Sequence, residues 1–167
     1  MKNKILVLFI INLLFLVCPI RSVFALEHTQ KEGLFSMDVP AEWHWVEYPE
    51  EVVIAYPDGQ TVAMDIQLVP GHNLPLSEIK KNIKDSNDKM IKEGIQAHHG
   101  TLIDNQEFKL DGVYATRLDF DPTPQNPIHA TYVSFFNKGY AFTVIYGSGD
   151  NKIYSVMDDC LATIKFR

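Results

Sequence analysis

The residues best suited to chemistry by type are six histidines, two cysteines and a few paired acids. His98 and His99 are adjacent and are followed by Asp104 and Glu107, which makes His98, His99 and Asp104 the leading candidates for a divalent-cation site. Neighbouring histidines diverge in an extended segment, so a shared ion needs a turn, which Gly100 can supply, or further ligands from elsewhere. The competing reading is a solvated helix end, where histidine suits the helix dipole. His28, His44, His72 and His129 are scattered, with neither H-x-x-x-H nor C-x-x-C spacing to connect them. Ser148 lies between Gly147 and Gly149 but lacks the surroundings of a nucleophile elbow. The same Gly-Ser-Gly run has no Walker lysine and is followed by Asp150, so it reads as a strand-to-helix turn rather than a phosphate cradle. Glu50-Glu51, Asp119 with Asp121, and Asp158-Asp159 could serve a hydrolase as general acid and base; solvated faces carry such pairs as well. No cofactor is implied.

Recognition is the other chemistry on offer. Residues 33–51, GLFSMDVPAEWHWVEYPEE, combine an alternating strand, a proline, two tryptophans and a run of acids. Trp43 is expected to bury beneath the sheet as a structural residue. His44, Trp45 and Tyr48, beside Pro49 and Glu50-Glu51, are expected as a partly exposed aromatic patch rimmed by charge, the pattern of a partner-binding surface. The competing reading has Trp45 merely covering a sheet edge. Cys160 falls inside an apolar helical stripe and reads as a buried structural side chain, against the alternative of a reactive thiol.

These residues need elements to hold them. Phe35, Met37 and Val39 alternate with polar residues until Pro40, and Val62, Met64, Ile66 and Leu68 do so until Pro70-Gly71, so both runs predict half-buried strands. Trp43 to Tyr48 and Val52 to Tyr56 predict short strands, the second closed by Pro57-Asp58-Gly59. From Leu76 to about Ala97 the apolar period becomes helical, with one narrow stripe and a wet outer face. Asp111-Gly112 and Asn137-Lys138-Gly139 mark two hairpins. The last hairpin's strands are apolar on both faces, which predicts cover on both sides at the sheet centre. Asp150 then caps a helix striped by Ile153, Val156, Met157, Cys160, Leu161 and Ile164. The fold class is therefore α+β: a mainly antiparallel twisted sheet of about six to eight strands with helices packed on both faces.

The ends and the charge bound where such a domain works. Lys2 and Lys4, the apolar run Ile5 to Val17, and Val23-Phe24-Ala25 predict a secretory signal peptide over residues 1–25, cleaved near Ala25. The competing expectation is lipidation of Cys18, although Phe15-Leu16-Val17 lacks the small residue that such processing wants. Residues 26–32 are expected as a loose polar leader and 33–167 as a single domain. Cleavage leaves twelve basic and twenty-one acidic residues, a net charge of −9, and Cys160 as the sole cysteine. That balance argues against nucleic acid as the main partner, and a lone cysteine cannot form an internal disulfide. No transmembrane segment is expected in the mature chain, which is placed in the periplasm or outside the cell.

The sequence resembles the PsbP/Mog1-like family. Phe35-Ser36-Met37-Asp38-Val39-Pro40 followed by Trp43 is similar to that family's opening strand. The Asp111-Gly112 hairpin, the strand begun by His129, the turn Asn137-Lys138-Gly139, the aromatic strand after it and Gly149-Asp150 before the last helix are similar to its closing half. The resemblance implies an α-β-α sandwich and a non-catalytic protein: the photosynthetic members are extrinsic subunits of a membrane complex that help retain its inorganic ions, and Mog1 binds a small GTPase. The mature chain lacks the photosynthetic subunit's basic N-terminal extension, so the scaffold carries over and the partner does not. The resulting expectation is a non-catalytic binding module, an accessory or assembly factor for an envelope protein partner. The alternative is a small-ligand or divalent-metal carrier, and a hydrolase is the third possibility.

Overall fold

The computed structural model describes residues 25–98 and 101–167, with the side chains of 94–98 outside that description. Cys18 and all of the expected signal peptide except Ala25 lie outside the described residues, as do His99 and Gly100. In chain order the elements are β1 (Ala25–Thr29), β2 (Phe35–Pro40), β3 (His44–Tyr48), β4 (Glu51–Ala55), β5 (Val62–Pro70), α1 (Leu76–His98), β6 (Thr101–Leu110), β7 (Val113–Asp121), β8 (His129–Asn137), β9 (Tyr140–Ser148), α2 (Asn151–Ala162) and β10 (Lys165–Phe166).

Seven strands form an antiparallel sheet in the order β3-β4-β5-β9-β8-β7-β6, and β1-β2-β10 form a second, three-stranded sheet. The two tight hairpins follow from residues with positive φ at both central positions: Asp111 (44°) with Gly112 (83°), and Lys138 (47°) with Gly139 (83°). Such type I′ turns match the right-handed twist of the strands they join. The alternation drawn from sequence holds from Met64 to Leu68, with Met64, Ile66 and Leu68 buried on one face and Asp65, Gln67 and Val69 on the other, but it breaks before that: Val62 is exposed and Ala63 buried, where the β4–β5 register shifts at Ile54 and Ala55.

The buried face of the large sheet packs on the small sheet and α2. Phe35, Met37 and Val39 of β2 meet Val52, Ile54, Ile66, Val133, Phe142 and Val144, while Met157, Cys160 and Leu161 of α2 complete the core. Phe135 and Phe142, directly paired across β8 and β9, stack at 4.7 Å between ring centroids. Asp150 caps α2 by accepting from the Lys152 amide at 2.8 Å. At the other end Thr163 Oγ1 accepts from the Asp38 amide at 2.8 Å and donates to the Cys160 carbonyl at 2.7 Å, which ties the helix end to β2.

Two expectations change. Residues 25–29 are no loose leader: Leu26 pairs with Val39 and Thr29 with Ser36, so the segment is a strand of the small sheet. Its side chains are mainly exposed, so it pairs through its backbone and carries no apolar alternation that a sequence reading could detect. Nor is the sheet centre covered evenly. α1 packs over β6, β7 and β8. Ala141 on the central strand β9 is exposed on that face, and Thr143 and Ile145 are half-buried.

Candidate functional site

Register pairing settles which side chains share a face. Trp45 lies opposite Ile54 and Glu47 opposite Val52, on the face turned to the small sheet. His44, Val46 and Tyr48 point the other way. The structure therefore does not bring His44, Trp45 and Tyr48 into one patch, because a strand's side chains alternate with period two. Trp45 is half-buried, stacked on His28 at 5.2 Å, and its Nε1 donates to Glu47 Oε1 at 2.8 Å. His44 is exposed with Nε2 3.3 Å from the Pro57 carbonyl oxygen, and Tyr48 is 55% exposed. Trp43, partly buried, packs edge-on against Tyr56 at 5.0 Å.

The other sequence candidates are dispersed. His98 ends α1 with its side chain outside the described residues, and His99 lies wholly outside them. Asp104 is exposed on β6 and accepts from the Asn105 amide at 2.8 Å. Among the described residues no group of three or more His, Cys, Asp or Glu is placed to hold a metal ion. Cys160 is buried, and burial first, then the charges of Asp159 and Asp38, push its thiol up to about 12.

The densest titratable cluster lies under α2. Arg117 Nε donates to both carboxylate oxygens of Asp119 at 2.9 and 2.8 Å, and Nη1 pairs with Asp158 at 3.0 Å. Thr131 Oγ1 donates to Asp119 at 2.6 Å, Tyr154 joins Thr131 and Asp119, and Tyr146 donates to Asp158. Burial raises Tyr146 and Tyr154, which keeps both phenols protonated at neutral pH. Burial alone would lower Arg117, but its bonds to Asp119 and Asp158 outweigh that and raise it. The members of this cluster satisfy one another, so its work is to fasten α2 to β7, β8 and β9.

The surface able to meet another molecule is the uncovered half of the large sheet. Val46 (38% exposed), Tyr48 and Val69 (59%) stand on it with half-buried Val53 and Ile145. Two acids interrupt this apolar field, Glu51 and Asp65. Partial burial first, and the Asp65 charge second, hold the Glu51 carboxyl above its ordinary range. Asp65 Oδ2 accepts from Gln67 Nε2 at 2.9 Å, while its Oδ1 is shielded from solvent and receives no hydrogen bond among the described residues. Where this face meets α1, a cavity of about 240 Å³ opens, bounded by Val69, Ile79, Ile83, Ser134, Phe136 and Thr143 among others.

Sequence reasoning missed Asp65, Val69 and Ser134. The available signal was charge: from Glu32 to Ile79 there are nine acids and no lysine or arginine, and those residues include β3, β4 and β5.

No family profile matches the sequence, nor does any curated protein sequence. Solved structures do resemble it. The cyanobacterial PsbP (CyanoP) of Synechocystis sp. PCC 6803 overlays at a TM-score of 0.60 with 12% identity, covering 90% of this chain and 97% of that one. The Ran-binding protein Mog1p of Saccharomyces cerevisiae gives 0.45 at 12% identity over 87% of this chain and 96% of that one. A protein of Bacteroides thetaiotaomicron VPI-5482 gives 0.45 at 14% identity, over 84% of this chain and 48% of that one. Among the described residues no helix is long and apolar enough to cross a membrane. With the sheet order, the paired flanking helices and the near-complete overlay on CyanoP in hand, the chain has the PsbP/Mog1-like fold.

Proposed function

We propose that this protein is a non-catalytic binding module, exported after cleavage at Ala25, that serves an envelope protein partner through the uncovered half of its large sheet. The observation that carries this is an apolar face holding two acids on strands that lack any basic side chain. Such a face complements a partner segment that presents a lysine or arginine flanked by aliphatic side chains. The incoming cation would pair with the Glu51 and Asp65 carboxylates and relieve the repulsion between them. Binding of this kind weakens as the pH falls through the raised range of Glu51, because protonation removes one of the two charges.

A photo-crosslinking amino acid at Val46, with the same group at Lys152 on α2 as control, tests the reading in the native envelope. One protein crosslinked from 46 and not from 152, with yield falling in Glu51→Gln/Asp65→Asn and at raised salt, is the expected result. Equal labelling from both positions, or yield indifferent to salt and to the acid substitutions, would overturn it.

A further inference from the structure

The cavity between α1 and the sheet carries an inference that does not depend on the docking face. Its walls are mainly apolar, from Val69, Ile79, Ile83 and Phe136; among the described residues no Asp, Glu, Lys or Arg lines it, and His72 and Asn82, both exposed, are polar members of its lining. One polar atom on its sheet side stands out. Ser134 is 5% exposed, lines the cavity, and its hydroxyl has no hydrogen-bond partner among the described residues. The neighbouring hydroxyl shows the contrast: Thr116, paired with Ser134 across β7 and β8, receives the side-chain amide of Asn87 at 2.9 Å. Buried hydroxyls in folded proteins are ordinarily partnered, and one left free beside an apolar cavity marks where a ligand's polar atom would sit.

Size and charge narrow the class. At about 240 Å³ the space lies between the roughly 150 Å³ that accepts benzene and the roughly 300 Å³ at which drug-sized pockets begin. A ring with one or two short substituents fills it. The one ionisable side chain in the lining, His72, is exposed to solvent, so a carboxylate or ammonium seated against Ile79, Ile83 and Phe136 would lose its hydration uncompensated and the occupant is neutral. We infer that this cavity binds a small neutral monocyclic compound bearing one hydroxyl or carbonyl oxygen, whose oxygen bonds the Ser134 hydroxyl while the ring packs against Ile79, Ile83 and Phe136.

The probes are p-cresol, toluene and benzoate, titrated into the 15N-labelled protein and followed through the backbone amides of 79–86 and 134–136. Saturable shifts with p-cresol, weaker ones with toluene and none with benzoate are expected. Ser134→Ala should weaken p-cresol about tenfold, as loss of one buried hydrogen bond does, and leave toluene unchanged. Ser86→Phe, at an exposed position on the α1 rim, should abolish both without unfolding the chain. Absence of saturation with p-cresol, equal binding of benzoate, or an equal loss of toluene in Ser134→Ala would overturn the proposal. None of those results would alter crosslinking from Val46, so the two readings fail separately.

Discussion

A Cβ built on Gly147 would lie 2.5 Å from the His129 carbonyl oxygen, across the β8–β9 pair. Because that oxygen is backbone, Gly147→Ala must push two central strands apart, and a loss of about 1–3 kcal/mol in urea unfolding is expected. Arg117→Met leaves Asp119 buried without its cation and should cost about 3–5 kcal/mol, whereas Tyr146→Phe, which removes one donor to Asp158, should cost about 1 kcal/mol. The same unfolding curves measure both. Cys160 supplies a pH test: its folded-state thiol is held up to about 12 against an ordinary 9.0. The folded chain keeps that proton after the unfolded chain has released it, so this contribution is complete below about pH 8.5 and is lost as pH rises toward 12. Stability of the native protein should therefore fall by up to about 1.4 kcal/mol per pH unit more steeply there than that of Cys160→Ala. At this scale the sequence was only partly readable. Cys160 stood in a visible apolar stripe, but Arg117 and Asp119 sit two apart on one strand face, and what they meet comes from Thr131, Tyr154 and Asp158, far away in the chain.

At the scale of elements, alternation identified β2 and β5, helical period identified α1 and α2, and turn residues with positive φ identified both hairpins. β1 escaped for a physical reason: it is an edge strand held by backbone pairing, with His28 stacked on Trp45 and Glu27 paired with Arg167 as side-chain contacts. Removing residues 25–29 should consequently raise the acrylamide quenching of Trp45, measured in a Trp43→Phe background, while the far-ultraviolet signature of the large sheet persists. α1 is attached chiefly by Ile83 and by the Asn87–Thr116 bond, and its exposed face carries lysine–acid pairs at i, i+4 that add little. Ile83→Ala should thus cost about 2–4 kcal/mol by thermal unfolding, and should widen the cavity as well. Of the recognition patch drawn from His44, Trp45 and Tyr48, His44 and Tyr48 share one face of β3 while Trp45, an odd number of residues from each, lies on the other.

For the whole molecule, the absence of basic residues between Glu32 and Ile79 gives the uncovered half-sheet its acidic character, while the lysines of α1 lie beyond it. The expected export step has a direct reading: an intact mass matching residues 26–167 from the envelope fraction supports cleavage after Ala25, and a mass carrying acylated Cys18 refutes it. Such a cut would spare the pairing of Leu26 with Val39 and so leave β1 in place. The order of strands also governs assembly in time. β5 takes β9 as its neighbour, with Pro70 meeting Tyr140, and β2 is flanked by the described chain's first and last strands. Closing loops of that length is slow relative to local hairpins. A chain emerging from the ribosome can therefore pair β1 with β2 and β3 with β4 and β5, but both sheets stay unfinished until β9 and β10 have followed, so it remains open to threading until those strands are made.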